Sequence, residues 1–526
     1  MADGERVRLD RGVVLALVAM VLAVFVIAND ITALSVALPN IEHDFNADVP
    51  TVQWVINAYA VVFGVLIVTG GRLADLFGRR RIFFIGSAIF TGFSLLAAAA
   101  QDAGWLIACR ALMGIGGAMM WPAILGMTYA VLPESRAGLA GGLIIGAAGF
   151  GNAGGPLLGG VLTDVLSWRW ILVLNLPITA FAVFATWKEV SESREEGADH
   201  RIDYGGIATL SVGLVALLVA LDQATDYGWG DPRIIGLLAA CVALLVVFTT
   251  LERRAGPHAL VPRDVVRNRA FASACLATLL MSATFFASLV FLPQFMQKIL
   301  GYSPLGAGAG LLPMMGTFAV VSFFSGPLYE RLGAKPVVCA GALCLAVGPF
   351  LISLIDRHSG WLSLVPGMVV LGAGIGLFYS SVTNAAVTAL DPSRSSLAGG
   401  LVYMFQVAGG SVGLGLTTTV FTAAAQHKLA SLISAAGTSL SGGDRDALHG
   451  ALAGTGYARH VLDRFPAATA DRLVEMVRQA FASGIEWSFR VVAALALAGL
   501  VVTVLYVGGR LRPRRAAVER EPSRSA

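Results

Sequence analysis

Apolar runs of roughly 20 residues follow one another along this chain, parted by short polar connections. A bilayer core about 30 Å thick is crossed by roughly 20 helical residues, so each run predicts a membrane-spanning helix. The runs do not alternate apolar with polar, as strands would. In lipid, unpaired backbone groups cost several kcal/mol each, which leaves helices as the element these runs can form. The windows predict about fourteen spans, near 12–37, 50–70, 82–101, 104–131, 138–163, 168–187, 204–221, 233–251, 270–297, 304–329, 336–355, 361–389, 396–423 and 485–508.

Composition agrees with lipid as the solvent. Of 526 residues, 56% are hydrophobic and 13% charged, with a mean hydropathy of +0.75. A water-soluble domain carries about a quarter charged residues, so that class is excluded. Cys109, Cys241, Cys275, Cys339 and Cys344 all fall within apolar runs without metal-type spacing, and read as small core residues. The first run is long and reaches Asp30 and Pro39 with no small-residue cleavage site, so an uncleaved span is expected there.

The net charge is only +4, but its placement sorts the connections. One alternate set is basic, from Arg6, Arg8 and Arg11 through Arg79–Arg81, Arg136, Arg253–Arg254, Arg331 and Arg394 to Arg510–Arg515. The other is acidic or nearly uncharged, as in Glu42-His43-Asp44. Basic loops stay in the cytoplasm, which predicts a multi-pass protein of the plasma (inner) membrane with both termini inside. The tail of residues 511–526 reads as a membrane-proximal anchor, not a nucleic-acid arm. No nucleic-acid partner is expected.

Two short patterns recur about half a chain apart. Gly71-Arg72-Leu73-Ala74-Asp75-Leu76-Phe77-Gly78-Arg79-Arg80 is echoed by Gly326-Pro327-Leu328-Tyr329-Glu330-Arg331-Leu332-Gly333-Ala334-Lys335. Leu132 to Leu143 is echoed at nearly the same offset by Leu390 to Leu401. Two echoes at one spacing indicate duplicated halves, the usual plan of a secondary transporter. The predicted fold is therefore all-α and membrane-embedded. A six-helix bundle occupies 1–190, two inserted spans and linkers 191–269, and a second six-helix bundle 270–510. Within the last lies a long connection, 424–484, where Ala467 to Ser483 places Leu473, Val477 and Phe481 on one face and predicts a small amphipathic cap.

These patterns resemble the major facilitator superfamily, in particular its fourteen-helix drug:proton antiporter branch. Gly71 to Asp75 with Gly78-Arg79-Arg80 is similar to the superfamily's loop signature, and Cys109 to Ala118 to its fourth-helix arginine motif. Gly151-Asn152-Ala153-Gly154-Gly155-Pro156-Leu157-Leu158-Gly159-Gly160 resembles the fifth-helix motif of antiporters. Asp30-Ile31-Thr32 through Pro39, and Trp168-Arg169-Trp170 with Asn175 and Pro177, are similar to the fourteen-helix branch. The chain departs from that pattern at Leu76, Ser35 and Phe405. The resemblance implies a major facilitator fold and a proton-coupled antiporter that exports small amphiphilic or cationic compounds, as in multidrug efflux or antibiotic resistance. Uptake of an organic solute by the same fold is an alternative, as is a receptor or scaffold that transports nothing. A monomer is expected.

The residues themselves suggest how coupling would work. Asp30 lies roughly 28 Å along the first span from Arg11, at 1.5 Å per residue, deep in the apolar layer. An acid at such depth faces a cavity in most membrane proteins and exchanges protons. Arg110 sits at similar depth in the fourth span and needs a carboxylate or several carbonyls, and Asp30 is the obvious partner. The resemblance adds a role for Arg110 in proton transfer. Asp75 ends its own helix, where a carboxylate is unfavourable, so it should serve another helix start or an arginine and latch the halves together. Gly71, Gly78, Arg79 and Arg80 belong to that latch, although the arginines also read as ordinary inside anchors.

Gly151, Gly155 and Gly159, with Gly160, allow close helix approach, and Pro156 can bend the span. Ordinary packing is the plain reading; the antiporter resemblance adds a gating role. Met113, Met120, Trp121, Phe285, Phe286, Tyr379, Phe405 and Gln406 are the candidates for substrate contact, because soft and aromatic faces suit varied amphiphiles. No nucleotide loop, metal cluster or nucleophile–base pair occurs in the polar segments. The chain is thus expected to be no enzyme, to hold no cofactor, and to draw on a proton gradient.

Overall fold

A computed structural model describes residues 10–47, 49–133, 136–194, 203–256, 259–355, 359–435 and 467–507. The tail from Arg510, and 436–466 of the long connection, lie outside the described residues. The helices are α1 (Arg11–Phe45), α2 (Val49–Phe77), α3 (Arg79–Ala98), α4 (Ala103–Val131), α5 (Ala137–Val165) and α6 (Arg169–Glu189). They continue with α7 (Tyr204–Tyr227), α8 (Pro232–Ala255), α9 (Arg263–Arg267), α10 (Arg269–Lys298), α11 (Pro304–Gly310) and α12 (Leu312–Leu332). The last four are α13 (Ala334–Ile352), α14 (Trp361–Val387), α15 (Ser395–Ala435) and α16 (Ala467–Tyr506).

Among the described residues, thirteen helices are long and apolar enough to cross a membrane. The 29-residue α5, as long as α4, completes the expected fourteen. Helix starts follow local chemistry. Asp102 accepts the Trp105 N–H at 2.8 Å and Asn268 the Phe271 N–H at 3.1 Å, each satisfying an orphan donor of the first turn. Gly78 and Gly333 precede α3 and α13 with φ of 108° and 86°, a left-handed conformation in which a side chain would be strained.

Helices α1 to α6 pack as one bundle, and α10 and α12 to α16 as a second. The bundles meet along two main seams, α2 on α15 and α5 on α12. The inserted α7 and α8 pair with each other; α7 also touches α2 and α15, so the insertion flanks the first seam. There the Trp229 indole N–H donates to Thr419 of α15. Most of α8 faces outward, as expected of a peripheral span in lipid.

Two expectations change. The tenth span is broken at Leu311, where Leu311 and Pro313 end the short α11 and start α12. The amphipathic segment is no separate cap: it is the first part of α16 and continuous with the last span. Its apolar face is as expected, with Leu473 and Phe481 buried, and Phe481 stacks edge-on against Phe421 at 5.0 Å. Both α15 and α16 run about 60 Å at 1.5 Å per residue, twice a bilayer core. Their paired ends cover each other's apolar faces, so neither needs to fold back as a cap.

Candidate functional site

Asp30 and Arg110 are fully buried and form an ion pair inside the first bundle. Asn175 of α6 donates to the other Asp30 oxygen at 2.9 Å and to Ser94 Oγ at 3.0 Å. Arg110 Nε donates to the Val55 carbonyl at 2.9 Å, and its guanidinium lies over the Tyr59 ring, 4.5 Å from the centroid. Five helices therefore converge on one carboxylate–guanidinium pair. Removing either partner would leave a buried charge uncompensated, at about 3–5 kcal/mol.

Asp30 does not face the space between the bundles, as its depth alone suggested. That cavity, about 60 Å³, is lined on α1 by Ile27 and Ala28, while Asp30 turns into its own bundle toward α4 and α6. The charge is better compensated by Arg110 and Asn175 than by an apolar cleft, which decides how α1 is rotated.

Of the residues expected to touch substrate, Trp121, Phe285, Phe286, Tyr379 and Gln406 line the cavity. Met113, Met120 and Phe405 do not. Met113 sulfur sits 3.8 Å from Arg110 Nη1, and Met120 packs against Gly86 of α3. Phe405 packs against the core beside the cavity. Asn152, Phe318 and Tyr403 line it without having been singled out. Asn152 was legible as the polar residue of the Gly151-Asn152 motif; the other two looked like any aromatic of an apolar run. The cavity's volume is below the 300–1,000 Å³ of a typical ligand site, so the bundles must part to admit a substrate.

The glycine face of α5 lies on α1. A Cβ at Gly151 would fall 2.8 Å from the Phe25 carbonyl oxygen; one at Gly155 would strike Thr32, and one at Gly159 the backbone of Ala33. Gly160 faces Leu305, and Pro156 lies against Gly308, both of α11. The helix runs through Pro156 without interruption. The motif thus clamps the Phe25–Ala33 stretch that carries Asp30, with α11 of the other half behind it.

At the arginine-rich end, Asp75 accepts from the Leu397 N–H at 2.8 Å and the Ser396 N–H at 3.3 Å, the exposed donors at the start of α15. Arg79 Nε donates to Asp75 at 3.1 Å, and its Nη2 to the Pro392 and Ser393 carbonyls at 2.9 and 2.8 Å. Gly71 lets α2 approach: a Cβ there would fall 2.7 Å from the Ser396 carbonyl oxygen. Arg80 stays within the first half, donating to the Val190 carbonyl and covering Phe84. Glu192, which the sequence did not mark, accepts the Arg80 and Arg81 N–H groups at 3.0 Å each and caps α3 beside Gly78.

A second unmarked residue, Asn384 of α14, is fully buried at the other seam. Its Nδ2 donates to the Gly138 carbonyl at 2.9 Å, and its Oδ1 accepts the Gly141 N–H at 3.1 Å and the Tyr129 hydroxyl. An amide inside an apolar run was the available signal.

A family model described as Major Facilitator Superfamily matches residues 20–414. The chain belongs to that superfamily. Puromycin resistance protein pur8 of Streptomyces alboniger is 34% identical over 419 residues, 79% of this chain and 83% of its own. The tetracenomycin C resistance and export protein of Streptomyces glaucescens is 29% identical over 488 residues, 93% and 90% of the two chains. Among solved structures, the human organic anion transporter MFSD10 shares the fold, with a TM-score of 0.61 at 13% identity, over 93% of this chain and 99% of that one.

Proposed function

We propose that this protein is a proton-coupled antiporter that exports small amphiphilic compounds by alternating access, with both termini in the cytoplasm of the producing cell. Asp30 carries the reading: it is a fully buried acid on a membrane helix, held by Arg110 and Asn175. Protonating Asp30 dissolves the ion pair and leaves Arg110 on the Val55 carbonyl and the Tyr59 face. Ile27 and Ala28, one turn away on α1, line the cavity, so a shift of α1 against the α5 glycines would reach the substrate. Asp75 and Arg79 would hold the arginine-rich end shut until that shift, which makes them a conformational latch. The energy comes from the proton gradient, without a cofactor, and one chain suffices because it holds both halves. Names of relatives that include export and resistance support the direction of transport.

The test is substrate-driven proton flux in liposomes under an imposed pH gradient, with binding measured separately. Asp30→Asn should abolish proton exchange, by at least tenfold, while ligand binding persists. Unchanged exchange in a folded Asp30→Asn variant would remove Asp30 as the carrier.

A further inference from the structure

The lining of the inter-bundle cavity includes no carboxylate, lysine, arginine or histidine. Both bundles contribute aromatic walls: Trp121 lies with its ring centroid 4.7 Å from that of Tyr403, and Phe285 packs on Phe318 and Tyr379. The polar groups that stand out are the amides of Asn152 and Gln406, and neither hydrogen-bonds to protein among the described residues. Two unengaged amides in an aromatic cleft have the character of groups that orient a ligand through its hydrogen-bonding edge.

A cation would find little here. Asp30, two residues beyond the lining residue Ala28, is turned away and already neutralised by Arg110. Once Asp30 is protonated, the Arg110 charge stands uncompensated behind α1 and repels a cation in the cavity. Aromatic faces attract a cation, but no carboxylate in the lining would neutralise it.

We infer that the exported substrate is an uncharged, flat, polycyclic aromatic molecule with carbonyl or hydroxyl edges. Its rings lie between the aromatic walls, and its edge meets Asn152 and Gln406. This inference rests on the antiport reading above and adds an electrical consequence. Each proton that enters in exchange for an uncharged molecule moves one positive charge inward, so exchange is electrogenic. A monocation exchanged for one proton moves no net charge. A potential of 100 mV multiplies the attainable substrate gradient roughly 50-fold per charge moved.

The full chain in liposomes is loaded with an uncharged hydroxyanthraquinone or with ethidium, a permanent monocation, and protein-free liposomes supply the leak rate. With no pH gradient, a potassium–valinomycin potential of about 100 mV, inside negative, should accelerate quinone efflux at least tenfold. With the potential clamped at zero and a pH gradient imposed, ethidium exchange should be at least tenfold slower than quinone exchange. Gln406→Glu, which brings a carboxylate into the cavity, should raise the ethidium-to-quinone ratio at least tenfold. Ethidium exchange as fast as quinone exchange, or quinone efflux indifferent to potential, would overturn the inference while leaving antiport standing. An unchanged ratio in Gln406→Glu would overturn the contact at Gln406. Proton flux with neither compound would fell the antiport reading itself.

Discussion

At the α2–α15 seam a buried carboxylate, Asp75, meets the N–H groups that open α15; at the α5–α12 seam the start of α5 is met by the amide of Asn384. The two helix starts are repeats of each other, Leu139-Ala140-Gly141-Gly142-Leu143 and Leu397-Ala398-Gly399-Gly400-Leu401. Around them, bulk and polarity have changed places. Gly126, six residues before Leu132, leaves room for the Arg79 side chain; a Cβ there would lie 2.8 Å from Arg79 Nε. Six residues before Leu390 stands Asn384, and after the second glycine turn Ala334 replaces Arg79.

Glu330, the counterpart of Asp75, is exposed instead of buried, yet it too accepts a helix-start N–H, that of Leu139, the counterpart of Leu397, with Arg136 beside it. Duplication has kept the geometry of helix approach and a carboxylate at each helix start, but only Asp75 is buried and only the second seam adds a buried amide. One seam is closed by a buried ion pair; the other combines a buried amide with an exposed carboxylate. The neighbours differ too, since α7 covers the first seam while Phe323 and Phe324 of α12 lie exposed near the second.

Removing both locks tests the comparison hardest. In Asp75→Ala/Asn384→Ala the costs should add, to about 4–8 kcal/mol, because the two side chains share no partner. Spin-label distances across the arginine-rich end, in nanodiscs, should report a population fully open there. Asp75→Ala alone leaves Arg79 buried without its carboxylate and should cost about 3–5 kcal/mol of the closed state. If that distance distribution stayed closed, charge would not be what holds the first seam. Asn384→Ala loses three hydrogen bonds without stranding a charge, and should cost about 1–3 kcal/mol. The extra opening relative to wild type should be the same at pH 5 and pH 8, since the substitution itself alters no ionisable group.

The smallest effect concerns Asp391, whose carboxyl accepts the Ser393 N–H at 2.9 Å in the strap gripped by Arg79. Its pKa is lowered below 3.8, mainly by hydrogen bonds from Ser393. A depressed carboxyl pKa contributes stability that is complete above the unfolded value and lost as pH falls through the folded one. Between pH 8 and 5, Asp391→Asn should therefore leave the pH profile of seam closure unmoved. A shift in that interval would place a titrating control on this strap.

Much of the fold was readable along the chain, because membrane insertion is decided locally by twenty-residue windows of apolar side chains. The repeats showed that the halves are copies, and the position of Asp75 at its own helix end called for another helix start or an arginine. Rotation about a helix axis was another matter. Met120 and Trp121 are neighbours in sequence, yet one packs on α3 and the other lines the cavity. Asp30 shows the same limit: its depth was legible and its direction was not, since the partners that turn it, Arg110 and Asn175, are 80 and 145 residues away.

By itself, then, the sequence determined how many apolar runs are long enough to cross the bilayer, that the halves are copies, and which acids lie deep within those runs. Tertiary structure decided which way each side chain points, that α16 runs unbroken from its amphipathic start, and that one seam buries an ion pair while its copy buries an amide. The physical reason is range. Transfer into lipid is scored residue by residue, but a buried charge or amide is satisfied only by groups that folding brings from other helices.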